Sequence, residues 1–251
     1  MAVAGPIQPF QGGNGGGRGS KRGRDDDEEG DRPRENFKNF IEPLEENRSL
    51  YRPAVVLILG DSFIRRLQVH EHRLFGHYHN MGLLYDVANV EWMGIGGLTL
   101  PRLRRFYLDA VAEMNPDVIV LQIGTNDLCD RNNPAWLVAA DLRHMVQLLQ
   151  QNGVSHVIVC QTINRLSQGV PADIQDFPTR VYNLNTTTSS YMAGLSFATY
   201  WHHRGLWSND RPTITRDGIH LNGYGNQLFY RSIRGAILHG IRRARSSLRR
   251  Q

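Results

Sequence analysis

Cysteine is scarce in this sequence, and long apolar runs are missing from it. Among the 251 residues there are two cysteines, Cys129 and Cys160, each beside a segment typical of a buried strand. Two thiols of this kind are too few for a disulfide scaffold and favour a reducing compartment. No apolar run approaches the roughly 20 residues that span a bilayer, and no basic segment precedes an apolar core at the N-terminus. We therefore expect a cytoplasmic or nuclear protein with neither a signal peptide nor a transmembrane segment.

The patterns by which proteins usually bind metals and nucleotides are also missing. The group His70, His72, His77 and His79 contains no His-Glu-x-x-His motif and has no cysteine beside it. Because zinc sites use ordered ligand spacings, these side chains are better explained as solvated surface histidines. The glycine-rich segment at residues 94–97 is not G-x-G-x-x-G, and no acid follows it where a ribose would need one. We expect the protein to need no metal and no cofactor.

Charged residues are unevenly distributed, and they divide the chain into three parts. Residues 1–35 combine glycine repeats with a basic block followed by an acidic block, a composition typical of a disordered tail. Residues 242–251 contain five arginines and no acid, which accounts for the net charge of +5. A basic tail can hold nucleic acid weakly through phosphate contacts, although arginines are also common at helix C-termini, where they oppose the dipole. We expect one folded domain over residues 36–241 between these two tails.

Apolar segments alternate with amphipathic ones along the rest of the chain. Continuous apolar runs are typical of strands buried on both faces, as in a parallel sheet, whereas apolar residues at helical spacing indicate helices packed against that sheet. The predicted strands are residues 54–60, 87–92, 118–123, 154–161 and 195–201, and the predicted helices are residues 62–74, 101–114, 134–151, 180–192 and 224–243. This alternation predicts a three-layer α/β/α domain with a five-stranded parallel sheet and right-handed crossovers.

The end of the first predicted strand carries the candidate nucleophile. The strand stops at Gly60, a residue type that permits a tight turn, and Ser62 follows at the start of a helix. The Ser62 hydroxyl would then lie at the carboxyl edge of the sheet, where open α/β folds keep their binding sites. Taken alone, Ser62 is explained equally well as a helix N-cap.

Three further motifs accompany later elements. The second predicted strand ends in Gly94-Ile95-Gly96-Gly97-Leu98-Thr99, in which closely spaced glycines let backbone N–H groups approach a ligand. The third strand ends in Gly124-Thr125-Asn126-Asp127, and Asp217-Gly218-Ile219-His220 precedes the last predicted helix. Each motif is weak by itself, since asparagine is a common turn residue and a lone histidine is often part of a core.

Taken in order, the four motifs resemble those of the SGNH, or GDSL-type, hydrolase family, whose motif positions are Ser, Gly, Asn and His. The matching residues are Ser62, Gly97, Asn126 and His220. The glycine position is the loosest match, because Gly94, Gly96 and Gly97 compete for it. The resemblance covers residues 54–240 and implies the flavodoxin-like SGNH hydrolase fold, with serine hydrolase chemistry and no cofactor.

Ester hydrolysis explains why residues of these types are needed. A serine hydroxyl becomes a nucleophile when a base lies within hydrogen-bond distance, and histidine suits this role because its unperturbed pKa is near neutrality. His220 is therefore the candidate base. Asp217, three residues earlier in the chain, is the candidate carboxylate that stabilises the imidazolium. One turn of helix-like backbone would bring the two side chains to one side.

The resemblance also assigns the groups that hold the oxyanion. It implies that the backbone N–H groups of Ser62 and Gly97 and the side-chain amide of Asn126 form the oxyanion hole. Losing one such donor typically raises the barrier by about 3–4 kcal/mol. Asp61 and Asp127 we interpret as structural residues that bond the backbone of the site loops.

Two functions follow from these patterns. The leading hypothesis is a serine esterase that forms an acyl-enzyme on Ser62 and hydrolyses a small acyl ester, with acetyl and lipid esters among those that the resemblance implies. The alternative is a non-catalytic module of the same fold that binds nucleic acid or a partner through its basic tails. Similar esterase-like domains occur in proteins of some animal retroelements, which is why this alternative is kept.

Overall fold

A parallel sheet of five strands forms the centre of the domain. The computed structural model describes residues 52–74, 79–206 and 212–248. Within these residues the strands are β1 (Ala54–Gly60), β2 (Ala88–Gly94), β3 (Val118–Gln122), β4 (His156–Cys160) and β5 (Ala198–Trp201). Their order in the sheet is β2-β1-β3-β4-β5, and all neighbouring pairs are parallel. The predicted five-stranded parallel sheet is therefore confirmed.

Helices cover both faces of the sheet. In the described part of the chain they are α1 (Ser62–Leu74), α2 (Leu100–Phe106), α3 (Leu108–Met114), α4 (Ala135–Gln151), α5 (Phe177–Ala193) and α6 (Gly223–Leu248). One buried cluster joins α1 and α6 to one face of the sheet, and a second joins α2, α3, α4 and α5 to the other. This arrangement confirms the predicted three-layer α/β/α architecture.

Two helix boundaries inside the domain differ from the prediction. The helix predicted over residues 101–114 is interrupted at Tyr107, which has φ −130°. Both Tyr107 and Leu108 pack against the core, and adjacent positions on an unbroken helix would point about 100° apart. Helix α5 begins at Phe177 rather than near Arg180. Pro178 therefore lies in its first turn, where proline is tolerated because the N–H that it lacks would have no partner in the helix.

The last helix continues beyond its predicted end at Arg243. It reaches Leu248, so part of the predicted basic tail is helical. Arg245 is buried and donates to the Val87 carbonyl oxygen at 3.2 Å, while Arg243 reaches the Ser196 carbonyl oxygen at 3.5 Å. The N-terminal tail of residues 1–35 lies outside the described residues, and the division into tails and one domain stays a prediction.

Two findings concern the predicted compartment, one on the helices and one on the cysteines. None of the helices described here is long and apolar enough to cross a membrane. Cys160 is buried and Cys129 is half-buried, and both thiols are free. A cytoplasmic or nuclear location stays an expectation.

The end of β1 sets the position of the site. Gly60 is paired with Gly94 of β2 on one side and with Gln122 of β3 on the other. A Cβ at Gly60 would collide with the Gln122 carbonyl oxygen and lie 2.7 Å from Ile64 Cγ1. Glycine is therefore required for the chain to leave the sheet and enter α1 at this point.

Candidate active site

Ser62 and His220 meet although 158 positions separate them in the chain. His220 Nε2 lies 3.0 Å from Ser62 Oγ, and His220 Nδ1 lies 2.7 Å from Asp217 Oδ2. The imidazole thus stands between the hydroxyl and the carboxylate, which is the arrangement in which a histidine can take the proton of a serine. The His220 side chain is 14% exposed, so its contact with Ser62 is largely shielded from water.

Asp61, rather than Ser62, caps helix α1. The Asp61 carboxylate accepts the N–H of Phe63 at 2.9 Å, which is the bond that an N-cap side chain makes with a residue of the first turn. The N-cap explanation considered for Ser62 is therefore wrong. Because Asp61 satisfies this end of the helix, the Ser62 hydroxyl is left for His220.

Two buried aspartates bond the backbone of the site loops, as predicted. Asp61 bonds Phe63 as described, and Asp127 accepts the N–H of Leu100 at 2.8 Å, at the start of α2. Burial raises the pKa of Asp61 to about 7 and that of Asp127 to about 6. Asp127 thereby ties the loop after β3 to the start of α2, which follows β2, whereas Asp61 orders the turn after β1 from within.

A tight turn holds Asp217 and His220 together. A bridge between Ile214 and Leu221 closes the turn, and Gly218 has a left-handed φ of +73°, a conformation that favours glycine. A Cβ at Gly218 would lie 2.6 Å from the Gly169 nitrogen, so this glycine also allows close packing of a neighbouring loop. We predicted that one turn of helix-like backbone brings Asp217 and His220 to the same side. In the structure a closed turn does this instead.

The Asp217 carboxylate is held in its ionised form. Desolvation opposes ionisation, but hydrogen bonds from the Thr215 hydroxyl, the Ile219 and His220 N–H groups and the His220 ring outweigh it and lower the pKa of Asp217 well below its usual range. The Thr215 bond is 2.6 Å and the His220 backbone bond is 2.9 Å. Arg66 Nη1 lies 3.8 Å from Asp217 Oδ2. The carboxylate can therefore balance a positive charge on the imidazole.

The glycine-rich loop lies beside the start of α1. Gly94 belongs to the β1–β2 ladder, where a Cβ would collide with the Arg65 backbone nitrogen. Gly97 has a left-handed φ of +64°. Among the hydrogen bonds of the described residues, none uses the N–H of Ser62 or the N–H of Gly97. Within the described residues, both N–H groups are thus left to donate to a ligand.

Asn126 is tied to the glycine-rich loop and to a buried cation. Its Nδ2 donates to the Leu98 carbonyl oxygen at 2.9 Å, and its Oδ1 accepts from Arg165 Nη2 at 2.8 Å. These two bonds fix which end of the amide is the donor. An Nδ2 group has two hydrogens, so one remains for a further acceptor.

Arg165 is the residue at this site that the sequence analysis missed. It is 8% exposed, and besides Asn126 it bonds the Thr125 hydroxyl at 3.0 Å and the Gly169 carbonyl oxygen at 3.3 Å. Its guanidinium lies 5.9 Å from the centre of the Phe177 ring. Because Gly169 packs against the Gly218 turn, Arg165 links the Asn126 loop to the turn that holds Asp217 and His220.

One signal in the sequence could have pointed to Arg165. It follows β4 closely, at the same edge of the sheet where the ends of β1 and β3 carry Ser62 and Asn126. The carboxyl ends of parallel strands share an edge, so a long polar side chain after β4 was a candidate on placement alone.

A cavity of about 640 Å³ opens beside the Ser62 hydroxyl. Its described lining includes Ser62 and His220, two arginines and two apolar side chains, namely Arg65, Arg66, Val69 and Leu221. Val69 is 49% exposed, so apolar surface continues from the site toward solvent. The cavity is large enough to admit a small organic ester.

No cluster that could hold a metal is found in the described ranges. No group of three or more His, Cys, Asp or Glu side chains is suitably placed there. The predicted surface histidines His70, His72 and His77 have side chains outside the described residues, whereas the His79 carbonyl oxygen accepts the Trp92 indole N–H at 2.8 Å.

Comparison with known families gives one match that spans most of the domain. The model of the GDSL-like lipase/acylhydrolase family matches residues 58–228, which include Ser62, Gly97, Asn126, Asp217 and His220. No curated protein sequence matches the chain.

Solved structures with the same fold are similar to this chain at low sequence identity. A GDSL-like lipase from Bacteroides thetaiotaomicron is 20% identical with a TM-score of 0.57, covering 80% of this chain and 98% of its own. The acetyl xylan esterase AlAXEase is 21% identical with a TM-score of 0.55, covering 73% and 99%. A carbohydrate esterase family 3 protein from Talaromyces cellulolyticus is 17% identical with a TM-score of 0.56, covering 75% and 98%. At these identities the likeness establishes the fold.

Proposed function

Because the chain belongs to the GDSL-like lipase/acylhydrolase family, we propose that it is a serine esterase whose acyl-enzyme forms on Ser62. The observation that carries this proposal is the 3.0 Å contact between Ser62 Oγ and His220 Nε2. The 2.7 Å bond from Asp217 to the other ring nitrogen supports it. A domain of this fold that only binds a partner would not need a hydroxyl, an imidazole and a carboxylate aligned in this way.

In the first step, Ser62 Oγ attacks the carbonyl carbon of the ester while its proton moves to His220 Nε2. The imidazolium that results is stabilised by the Asp217 carboxylate bonded to Nδ1. The hydrogen bonds that lower the pKa of Asp217 keep it ionised at neutral pH.

The negative charge on the carbonyl oxygen needs fixed donors in the transition state. We assign this role to the Ser62 N–H, the Gly97 N–H and the Nδ2 group of Asn126. In support, neither N–H group is used within the described chain, and the Leu98 and Arg165 bonds fix the Asn126 amide. Arg165 is a positioning residue in this scheme, since it acts through Asn126.

The tetrahedral intermediate then breaks its bond to the alcohol oxygen. The alcohol leaves with the proton from His220, and the acyl group remains on Ser62 as an ester. A water molecule attacks this ester and gives a proton to His220. The carboxylic acid leaves as Ser62 Oγ takes that proton back, so the enzyme returns to its starting form.

Hydrolysis of p-nitrophenyl acetate, butyrate and octanoate tests this proposal. We expect wild-type protein to hydrolyse at least one of these esters, and Ser62→Ala and His220→Ala each to lower kcat at least 1,000-fold. Ser246→Ala and His144→Ala are matched controls, since both side chains are exposed and the described bond of the Ser246 hydroxyl stays within its own helix, at the Arg242 carbonyl oxygen. Folding of every variant is checked by circular dichroism.

An acyl-enzyme can be observed directly. Brief incubation with an ester should add the mass of the acyl group to the peptide that carries Ser62, and Ser62→Ala should remove this adduct. Equal hydrolysis by wild type and by folded Ser62→Ala protein would refute the proposed function. The preferred chain length among the three esters would indicate the size of the acyl pocket.

A further inference from the structure

The face of α1 that carries Ser62 continues along the helix as a basic stripe. Positions spaced by three, four and seven residues share one face of a helix, and here they are Arg65, Arg66 and Val69. All three are exposed, whereas Phe63, Ile64 and Leu67 on the other face are buried. The catalytic face of this helix is therefore cationic and partly apolar.

Helix geometry directs these arginines toward Ser62. Helical side chains lean toward the N-terminus of their helix, so Arg65 and Arg66 lie over the turn that contains Ser62. Both line the cavity beside the Ser62 hydroxyl and His220. Arg65 Nη1 lies 3.3 Å from where a Gly96 Cβ would be, and Arg66 Nη1 lies 3.8 Å from Asp217 Oδ2. One guanidinium thus faces the glycine-rich loop and the other faces the Asp217 turn.

The charge around this cavity is positive. None of its described lining residues is acidic. The Asp217 carboxylate beside Arg66 already accepts bonds from Thr215 and from the backbone and ring of His220. A third guanidinium, that of Arg102, donates to the Gly96 and Gly97 carbonyl oxygens at 3.3 and 2.8 Å.

We propose that the ester substrate carries an anionic group, a carboxylate or a phosphate, which Arg65 and Arg66 bind in this cavity. The proposal rests on the proposed esterase function and names its substrate class. A guanidinium forms paired, charge-assisted hydrogen bonds with either anion, and the apolar side chains of Val69 and Leu221 can contact the carbon skeleton. Because the two arginines are exposed, we expect about a tenfold effect from each.

Two pairs of esters, matched in shape and different in charge, test the proposal. The first pair places a carboxylate on the acyl side, with 4-nitrophenyl hydrogen glutarate compared with 4-nitrophenyl valerate. The second places a phosphate on the alcohol side, with 1-butyrylglycerol 3-phosphate compared with 1-butyrylglycerol. We expect at least one anionic ester to have a kcat/KM about tenfold or more above that of its neutral partner. The pair that shows the preference identifies where the anion lies.

Charge-removing variants assign the preference to the two arginines. In Arg65→Gln and Arg66→Gln, the ratio of kcat/KM for the anionic to the neutral ester should fall about tenfold. The ratio cancels any effect of Arg66 on Asp217, because both esters use the same triad. Arg104→Gln, at an exposed position of α2 outside the cavity, removes one charge and should keep the ratio within about twofold. Raising the salt concentration should lower the wild-type ratio, since salt screens exposed charges.

Binding to Ser62→Ala protein provides a readout that needs no turnover. We expect calorimetry to show at least tenfold tighter binding of the preferred anionic ester than of its neutral partner, and this difference should fall about tenfold in Ser62→Ala/Arg65→Gln. Hydrolysis of the neutral esters with no preference in either pair would overturn this inference and leave the esterase proposal standing. A preference that both Arg65→Gln and Arg66→Gln retain would also overturn this inference and leave the esterase proposal standing. Absence of Ser62-dependent hydrolysis of all four esters would instead refute the proposed function, and this inference with it.

Discussion

Replacing Arg165 by methionine should lower kcat with little change in KM, because it removes the charge behind Asn126 and keeps a side chain that packs on Phe177. Arg165 is 8% exposed, and its Nη2 bonds Asn126 Oδ1 at 2.8 Å. Without this bond the Asn126 amide is held by the Leu98 carbonyl oxygen alone among its described partners, and complete loss of an oxyanion-hole donor costs about 3–4 kcal/mol. A donor that is kept but no longer fixed should lose about half of this, roughly 2 kcal/mol. We therefore expect kcat to fall about 30-fold.

A double-mutant cycle separates this effect from a general loss of structure. Steady-state hydrolysis of p-nitrophenyl butyrate gives kcat and KM for Arg165→Met, Asn126→Ala and the double variant. If Arg165 acts through Asn126, adding Arg165→Met to Asn126→Ala should change kcat by no more than about twofold. Arg165→Lys keeps a charge but cannot bond Thr125, Asn126 and Gly169 together, so its kcat should lie between those of wild type and Arg165→Met.

Arg180→Met is the matched control for Arg165. Arg180 Nη2 donates to the Asp130 and Asn133 carbonyl oxygens at 2.9 and 2.8 Å, and it bonds none of the proposed catalytic residues. Both arginine variants should lose about 1–3 kcal/mol of stability in urea denaturation, since each leaves acceptors without donors. A full 30-fold loss that persists in the Asn126→Ala background would refute the positioning role. So would an equal loss of kcat in Arg180→Met.

Three further predictions concern the glycine-rich loop, a buried histidine and the C-terminal arginines. Gly97→Ala should lower kcat more than Gly96→Ala in the butyrate assay, because φ is +64° at Gly97 and an alanine there is strained; equal losses would contradict the assignment of the Gly97 N–H. Burial lowers the pKa of His203 to about 3, so between pH 6.5 and 3 the unfolded chain binds a proton that the folded chain does not, and stability falls as the pH falls. The destabilisation by His203→Leu in urea should therefore be about 2 kcal/mol smaller at pH 5 than at pH 7, and a constant difference would refute this. If the basic tail holds nucleic acid, binding of single-stranded RNA in a filter assay should weaken steeply with salt and should weaken further on deletion of residues 249–251; salt-independent binding would exclude a phosphate-based contact.

The sheet and the four motifs were predictable because they depend on local patterns. Buried parallel strands are continuous apolar runs, and the ends of such strands meet at one edge, so Ser62 and Asn126 were expected at the same edge of the sheet. The break at Tyr107 was not predictable, since it depends on Tyr107 and Leu108 both packing on the core. The spacing of apolar residues describes one helix by itself. It carries no information about the shape of the elements that pack against that helix.

Placement after β4 was the one signal in the sequence that pointed to Arg165, because its burial depends on contacts far along the chain. Its partners Thr125 and Asn126 lie about 40 residues earlier, and its packing surface Phe177 follows a loop. An arginine beside prolines and polar residues has the composition of a solvated loop. Its role becomes visible when the strand ends are brought together.

In the proposed mechanism, the start of α1 supplies both the nucleophile and an oxyanion donor. The first N–H groups of a helix have no acceptor within it, and Ser62 is the first residue of α1. The Asp61 carboxylate accepts the N–H of Phe63, the residue after Ser62. It therefore caps the helix end without a bond to Ser62. The Ser62 N–H and hydroxyl are both left available on the same residue, one for the oxyanion and one for attack. A cap at Ser62 itself would have used the hydroxyl that the proposed reaction needs, so in this proposal the aspartate before the serine helps to keep the serine available for attack.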